Sequence, residues 1–151
     1  ESHWLVRPIR EENLADQSTW RSWQMTSATM TDIFHDAVRV CPDRVYCKSA
    51  NQSLTYSEAA KVIGAVGRGL GPTVRGRAVA LVLPNSAAFL ISYFAVLSAG
   101  AYPVLVNYAH PDATVTKLLE GIDLGAVLSD RDIPRVGRLK IRRCCPYEAC
   151  L

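Results

Sequence analysis

The chain has 151 residues, 49% hydrophobic and 21% charged, which is enough apolar material for one domain with a core and excludes a disordered chain. Its net charge of +3 gathers after residue 130, where six Lys/Arg face Asp132 and Glu148. That placement excludes a basic nucleic-acid-binding core, because the excess belongs to a tail.

Residues 1–28 hold Trp4, Trp20 and Trp23 among polar and charged neighbours and read as an N-terminal arm. Trp20 and Trp23 stand three apart and share one face of any short helix there. Thr29 or Thr31 then caps a helix in which Ile33, Phe34, Ala37 and Val38 form an apolar stripe, and Pro42 ends it near Val40. His35 falls off the stripe and reads as a solvated side chain.

Residues 44–48 alternate as a strand, 49–53 form a polar loop, and 54–56 return as the second strand of a hairpin. Thr55-Tyr56-Ser57-Glu58 is a capping box, with Thr55 accepting from the amide of Glu58 and Glu58 reaching back to the amide of Thr55. The helix it opens runs over 57–70 and buries Ala59, Val62, Ile63 and Val66. Gly64, Gly67, Gly69 and Gly71 each weaken that segment by up to about 1 kcal/mol against alanine, so close packing has to hold it.

From 78 to 111 no residue is charged. Residues 79–83, stopped by Pro84, have the pattern of a parallel strand covered on both faces. Ser86 caps a helix that is apolar on nearly every side up to Gly100, where a left-handed residue ends it, and 102–106 supply a parallel partner strand through a right-handed crossover. Residues 87–106 match a bilayer span in length, but Gly100 and Pro103 interrupt them and the last five have strand character, so no membrane span is expected. Residues 112–121 read as a shorter helix with Val115, Leu118 and Leu119 inside, and 123–130 as a further strand. Beyond Arg131 the pattern dissolves into a basic, cysteine-containing tail, 131–151. The fold class is α/β, with parallel βαβ units and a small hairpin over 29–130.

The turn Pro84-Asn85-Ser86 lacks the glycines that let a backbone approach a pyrophosphate, so a dinucleotide site is not expected. Asn85, Ser86 and Asn107 fall near the C-terminal edge of the sheet, where open α/β folds place ligands, yet turn and cap roles account for all three. Cys144-Cys145-x4-Cys150 has neither the spacing nor a nearby histidine for a tetrahedral metal, and Cys150 is misplaced for prenylation. His3, His35 and His110 belong to no triad pattern. Five cysteines without a regular framework, and no leader pattern after Glu1, point to a reducing, cytoplasmic location.

In order, Phe34-His35-Asp36-Ala37, Cys41-Pro42-Asp43-Arg44-Val45, Leu54-Thr55-Tyr56-Ser57-Glu58, Val79-Ala80-Leu81-Val82-Leu83-Pro84-Asn85-Ser86 and Ala95-Val96-Leu97-Ser98-Ala99-Gly100-Ala101-Tyr102-Pro103-Val104 follow one another, with 123–130 behind them. Over about residues 30–130 this series resembles the N-terminal part of the adenylate-forming superfamily of acyl-CoA synthetases, amino-acid-activating domains of peptide synthetases and luciferases. The resemblance implies a partial N-terminal subdomain of an adenylate-forming ligase. It also implies ATP, Mg and CoA as the full-length family's cofactors, with a carboxylate activated as an acyl-adenylate and then passed to a thiol. It places Asn107 and Lys117 on the CoA side and assigns no catalytic residue here. The family's phosphate loop, ribose-binding acid and catalytic lysine have no counterpart in these 151 residues, so the chain alone is expected to be inactive. Its expected partner is the remainder of the ligase, or another copy through uncovered apolar surface, with no nucleic acid. Two other readings stay open: a truncated, non-catalytic interaction module, and a stand-alone nucleotide- or CoA-binding module.

Overall fold

A computed structural model describes residues 29–48 and 53–133 and the backbone of 141–143. The tryptophan arm, His3, Cys144, Cys145 and Cys150 lie outside the described residues.

Thr29 opens helix α1 (Met30–Val40): its hydroxyl accepts from the Asp32 amide at 3.2 Å, and the Asp32 carboxylate accepts from the Thr29 amide at 3.2 Å. Of the two threonines considered, Thr29 is the cap. Phe34 and Ala37 are buried, Ile33 and Val38 half-buried, and His35 exposed. Strands β1 (Val45–Lys48) and β2 (Ser53–Thr55) pair antiparallel, with a bulge between Val45 and Cys47. Helix α2 (Tyr56–Leu70) starts directly from Thr55, so Tyr56, expected in the return strand, is its first residue. The capping box closes at 3.2 Å from the Glu58 amide to Thr55 and 2.9 Å from the Thr55 amide to Glu58. Those bonds, the backbone one foremost, hold the Glu58 carboxyl below its usual range.

The main sheet has four strands in the order β4, β3, β5, β6, all parallel: β3 (Ala78–Val82), β4 (Tyr102–Leu105), β5 (Leu124–Ser129) and β6 (Ile141–Arg143). Helix α3 (Ala87–Ser98) joins β3 to β4, and α4 (Asp112–Leu119) joins β4 to β5. Strand β6 has no counterpart among the expected elements. Three residues are too few for alternation to be read, and its place is set by pairing with Val127, Leu128 and Ser129.

Both faces of β3 are covered. Val79 and Leu81 pack with Leu70, Val74, Val96, Ala126 and Leu128, while Ala80 and Val82 pack with Val115, Leu119, Leu124, Val127 and Ile133. Ile91 and Ala95, on another side of α3, enter a third cluster with Phe34, Leu54, Ala59, Val62 and Ile63. One apolar helix thus serves two cores, the sheet on one side and α1, α2 and the hairpin on the other, which is why it has no polar stripe. It ends at Gly100, whose φ of 71° is the left-handed conformation expected there.

Two glycines owe their place to close approach. A Cβ on Gly67 would lie 3.3 Å from the carbonyl oxygen of Ala95, so α2 and α3 touch at backbone distance. A Cβ on Gly125 would lie 3.0 Å from Cα of Val74, in the 3-10 turn Pro72–Val74 laid across β5. Leu118 departs from expectation: it is 52% exposed, while Val115 and Leu119 are buried. Helix α4 meets the sheet through one narrow stripe, and Leu118 stands about 100° around the helix from Leu119.

Among the described residues, strand β4 is an edge of the sheet. The Tyr102 amide donates to Arg77 O at 2.9 Å and the Val106 amide to Leu81 O at 3.1 Å, so the N–H that Pro103 lacks falls on the unpaired side. Tyr102 and Leu105 are 64% and 56% exposed there. At the N-terminal end of the strands Arg77 donates to the Asp123 carboxylate and to Leu124 O, which ties the start of β3 to the start of β5 and lowers the Asp123 pKa.

Gly125→Ala is expected to lower stability by about 1–3 kcal/mol, because the added methyl meets backbone that must move. Urea denaturation checks this: the midpoint falls with an unchanged slope. Thr55→Ala is expected to cost about 0.5–2 kcal/mol near neutral pH. The Glu58 pKa is depressed in the folded state, so its contribution is present above the ordinary carboxylate pKa and lost as pH falls through the folded value. The gap between wild type and variant therefore narrows in acid.

Candidate functional site

The C-terminal ends of β3 and β4 open onto a cleft of about 560 Å³. Leu83, Pro84 and Asn85 line it from the end of β3, Phe89 from the first turns of α3, and Leu105, Val106, Asn107, Tyr108 and Ala109 from the end of β4 and the loop after it. A second cleft of about 550 Å³ lies across the start of α3, lined by Cys47, Lys48, Asn85, Ser86, Ala87, Phe89 and Leu90. Asn85 and Phe89 border both.

This edge forms because β3 stops at Val82, short of Pro84, and Ser86 soon starts a helix, its hydroxyl accepting from the Phe89 amide at 3.3 Å. Asn107 turns the other wall: its side-chain oxygen accepts from the Ala109 amide at 2.9 Å and its carbonyl from the His110 amide at 3.1 Å. Ser86 and Asn107 thus hold the cap and turn roles read from the sequence. The same geometry puts Asn85 and Asn107 on one cleft. Lys117, in contrast, is exposed in the last turn of α4 and lines neither cleft. Lys48, which does line one, went unnoticed in the sequence. It follows the bulged strand by parity, and nothing local points it toward α3.

In chemistry the first lining is aromatic and aliphatic with two amides. The second adds one cation. Neither lining holds the paired cations that grip a triphosphate. Among the described residues no group of three or more His, Cys, Asp or Glu gathers as metal ligands. No helix among them is long and apolar enough to cross a membrane.

The family model for AMP-binding enzymes matches residues 34–147. The chain belongs to that family. Nonribosomal peptide synthetase easA of Emericella nidulans is 28% identical over 74% of this chain and 2% of its own length. Medium/long-chain-fatty-acid--CoA ligase FadD6 of Mycobacterium tuberculosis is 28% identical over 72% of this chain and 18% of its own. Among solved structures, the N-terminal subdomain of Klebsiella oxytoca NpsA in complex with 3-hydroxybenzoyl-AMSN superposes with a TM-score of 0.69 at 26% identity, over 76% of this chain and 30% of that one. The chain is therefore similar to the N-terminal part of adenylate-forming enzymes and spans well under half the length of these relatives.

Beside the second cleft lies an aromatic cluster. Tyr46 sits edge-on to Phe34 and Tyr56, with ring centroids 5.2 Å away in each case, and Phe34 lies 4.9 Å from Phe94. Among the described residues the buried Tyr46 hydroxyl has no hydrogen-bond partner, and burial pushes its pKa far above the usual phenol value. Burial also raises the pKa of the neighbouring Cys47 thiol, which favours its protonated form.

Tyr46→Phe removes an unsatisfied hydroxyl and keeps the ring, so neutral-pH stability is expected to hold or rise by up to about 1–3 kcal/mol. The folded pKa of Tyr46 is raised, so the stability tied to its neutral form is full below the ordinary phenol value and lost as pH rises beyond it. Base titration followed by circular dichroism is expected to show a weaker alkaline loss in the variant.

Proposed function

We propose that this chain is the scaffold-bearing N-terminal part of an ATP-dependent ligase that activates a carboxylate as an acyl-adenylate and transfers the acyl group to a thiol. The family match over residues 34–147 carries the proposal, and the four-stranded parallel sheet and small hairpin support it. In this reading CoA is the acceptor and fatty acids are a substrate class, as the FadD6 similarity favours. Asn107, on the cleft wall, faces a neutral part of that co-substrate, and Lys117 offers a cation from the same β4–α4 unit. Transfer to a carrier domain is the second reading. It is favoured by the easA similarity and by the solved Klebsiella oxytoca NpsA-ThdA, an artificially fused adenylation-PCP di-domain, at 25% identity.

These residues by themselves are proposed to be inactive, because their clefts lack a phosphate cradle, and to work in contact with the rest of a ligase domain. The open β4 edge, with Tyr102 and Leu105 exposed, is the surface we assign to that contact.

Carboxylate-dependent exchange of pyrophosphate into ATP tests the reading. The full protein encoded by the gene is expected to catalyse exchange with one class of acids, and the 151-residue chain to catalyse none. Exchange by the chain alone overturns the scaffold assignment. Failure of the full protein with every acid tried overturns the ligase assignment.

A further inference from the structure

Arg131 lies just past β5, and its own amide donates to the buried Ser129 hydroxyl at 3.2 Å. Its side chain turns back over the loop that leaves β4. The guanidinium stands 4.7 Å from the centre of the Tyr108 ring, Nη2 donates to His110 O at 2.7 Å, and Nε is 3.2 Å from the Asp112 carboxylate. Nε is buried and among the described residues its N–H finds no hydrogen-bond acceptor, so the Asp112 contact is an ion pair without an aligned bond. One side chain therefore grips three alternate residues, 108, 110 and 112, through three different interactions.

The gripped loop is a wall of the first cleft: Val106, Asn107, Tyr108 and Ala109 all line it. Inside the loop, the Asn107 turn supplies the local bonds, to Ala109 and His110. Short Asx turns on an exposed loop do not by themselves fix its position relative to a neighbouring strand. Arg131 links the end of β5 to this loop through its side chain. We propose that Arg131 is a positioning residue for the candidate site: it holds the β4–α4 loop in register with the end of β5 and so sets the shape of the cleft and the place of Asn107. A planar guanidinium does this where an ammonium does not, because the stacking face and the donating edge act at once. The inference rests on reading that cleft as the site, but its test reads the loop directly and is independent of which ligand the cleft takes.

The experiment uses the whole chain, labelled with ¹⁵N, as wild type, Arg131→Met, Arg131→Lys and Tyr108→Leu. In Arg131→Met, backbone order parameters at 107–110 are expected to fall from about 0.85 to below about 0.6, while those of 79–82 in β3 stay unchanged. The Tyr108 ring resonances are expected to shift in both Arg131 variants. Arg131→Lys restores the Asp112 pair without the fork, so the loop recovers in part. Tyr108→Leu removes the stacking partner without touching β5, and loosening of the same residues is expected, which keeps the test decisive if an Arg131 variant folds poorly. Unchanged order parameters in Arg131→Met and Tyr108→Leu overturn the proposal. So does loosening that spreads equally to β3 and α3, which would make Arg131 a general stabiliser of the fold.

Discussion

Burial of α3 on two opposite sides is the constraint on which the rest of this structure depends. The helix gives Val96 to the sheet-facing cluster and Ile91 and Ala95 to the cluster built by α1, α2 and the hairpin. A helix apolar all round is stable only when covered in this way, so neither layer keeps its place without the other. The glycine at position 67 follows from the same requirement. Covering α3 closely enough to exclude water brings the α2 backbone to within van der Waals reach of Ala95 O, and no larger residue fits that crossing without a shift.

The same arrangement creates the candidate site. Because β3 ends at Val82 and α3 begins five residues later, the strand end and the first helical turn stand side by side, and clefts open on both flanks of that turn. The loop after β4 supplies the facing wall, held from β5 by Arg131. Open parallel sheets place ligands at this edge for a topological reason, since strand ends diverge where successive connections leave toward opposite faces. Here α3 and α4 leave β3 and β4 toward the two different clusters flanking the sheet.

Membership of the AMP-binding enzyme family gives this edge a context that geometry alone does not. The clefts hold amides, aromatic rings and Lys48, a set suited to positioning a neutral group and poorly suited to charged phosphates. Acceleration of phosphoryl and adenylyl transfer depends on placed cations and backbone donors. Of such groups the two clefts hold one cation, Lys48.

Much of the fold was readable from short-range chemistry. The Thr55–Glu58 capping box, the Ser86 cap, the left-handed Gly100, and the uncharged strand of 79–83 are local signals whose physics is complete within a few residues, and each stands where the sequence placed it. The family resemblance, carried by the same segments, was likewise legible and holds. Other features depended on partners distant in sequence. Leu118 faces solvent because Val115 and Leu119 take the buried stripe of α4, and β6 exists as a strand because β5 offers it an edge. Lys48 reaches a cleft because a hairpin packs beside the start of α3, and Arg131 governs a loop more than twenty residues before it. Periodicity and capping determine which segments are helix or strand, since those energies are local. Which residues meet across the sheet edge is a matter of long-range packing, and the tertiary structure alone decided it.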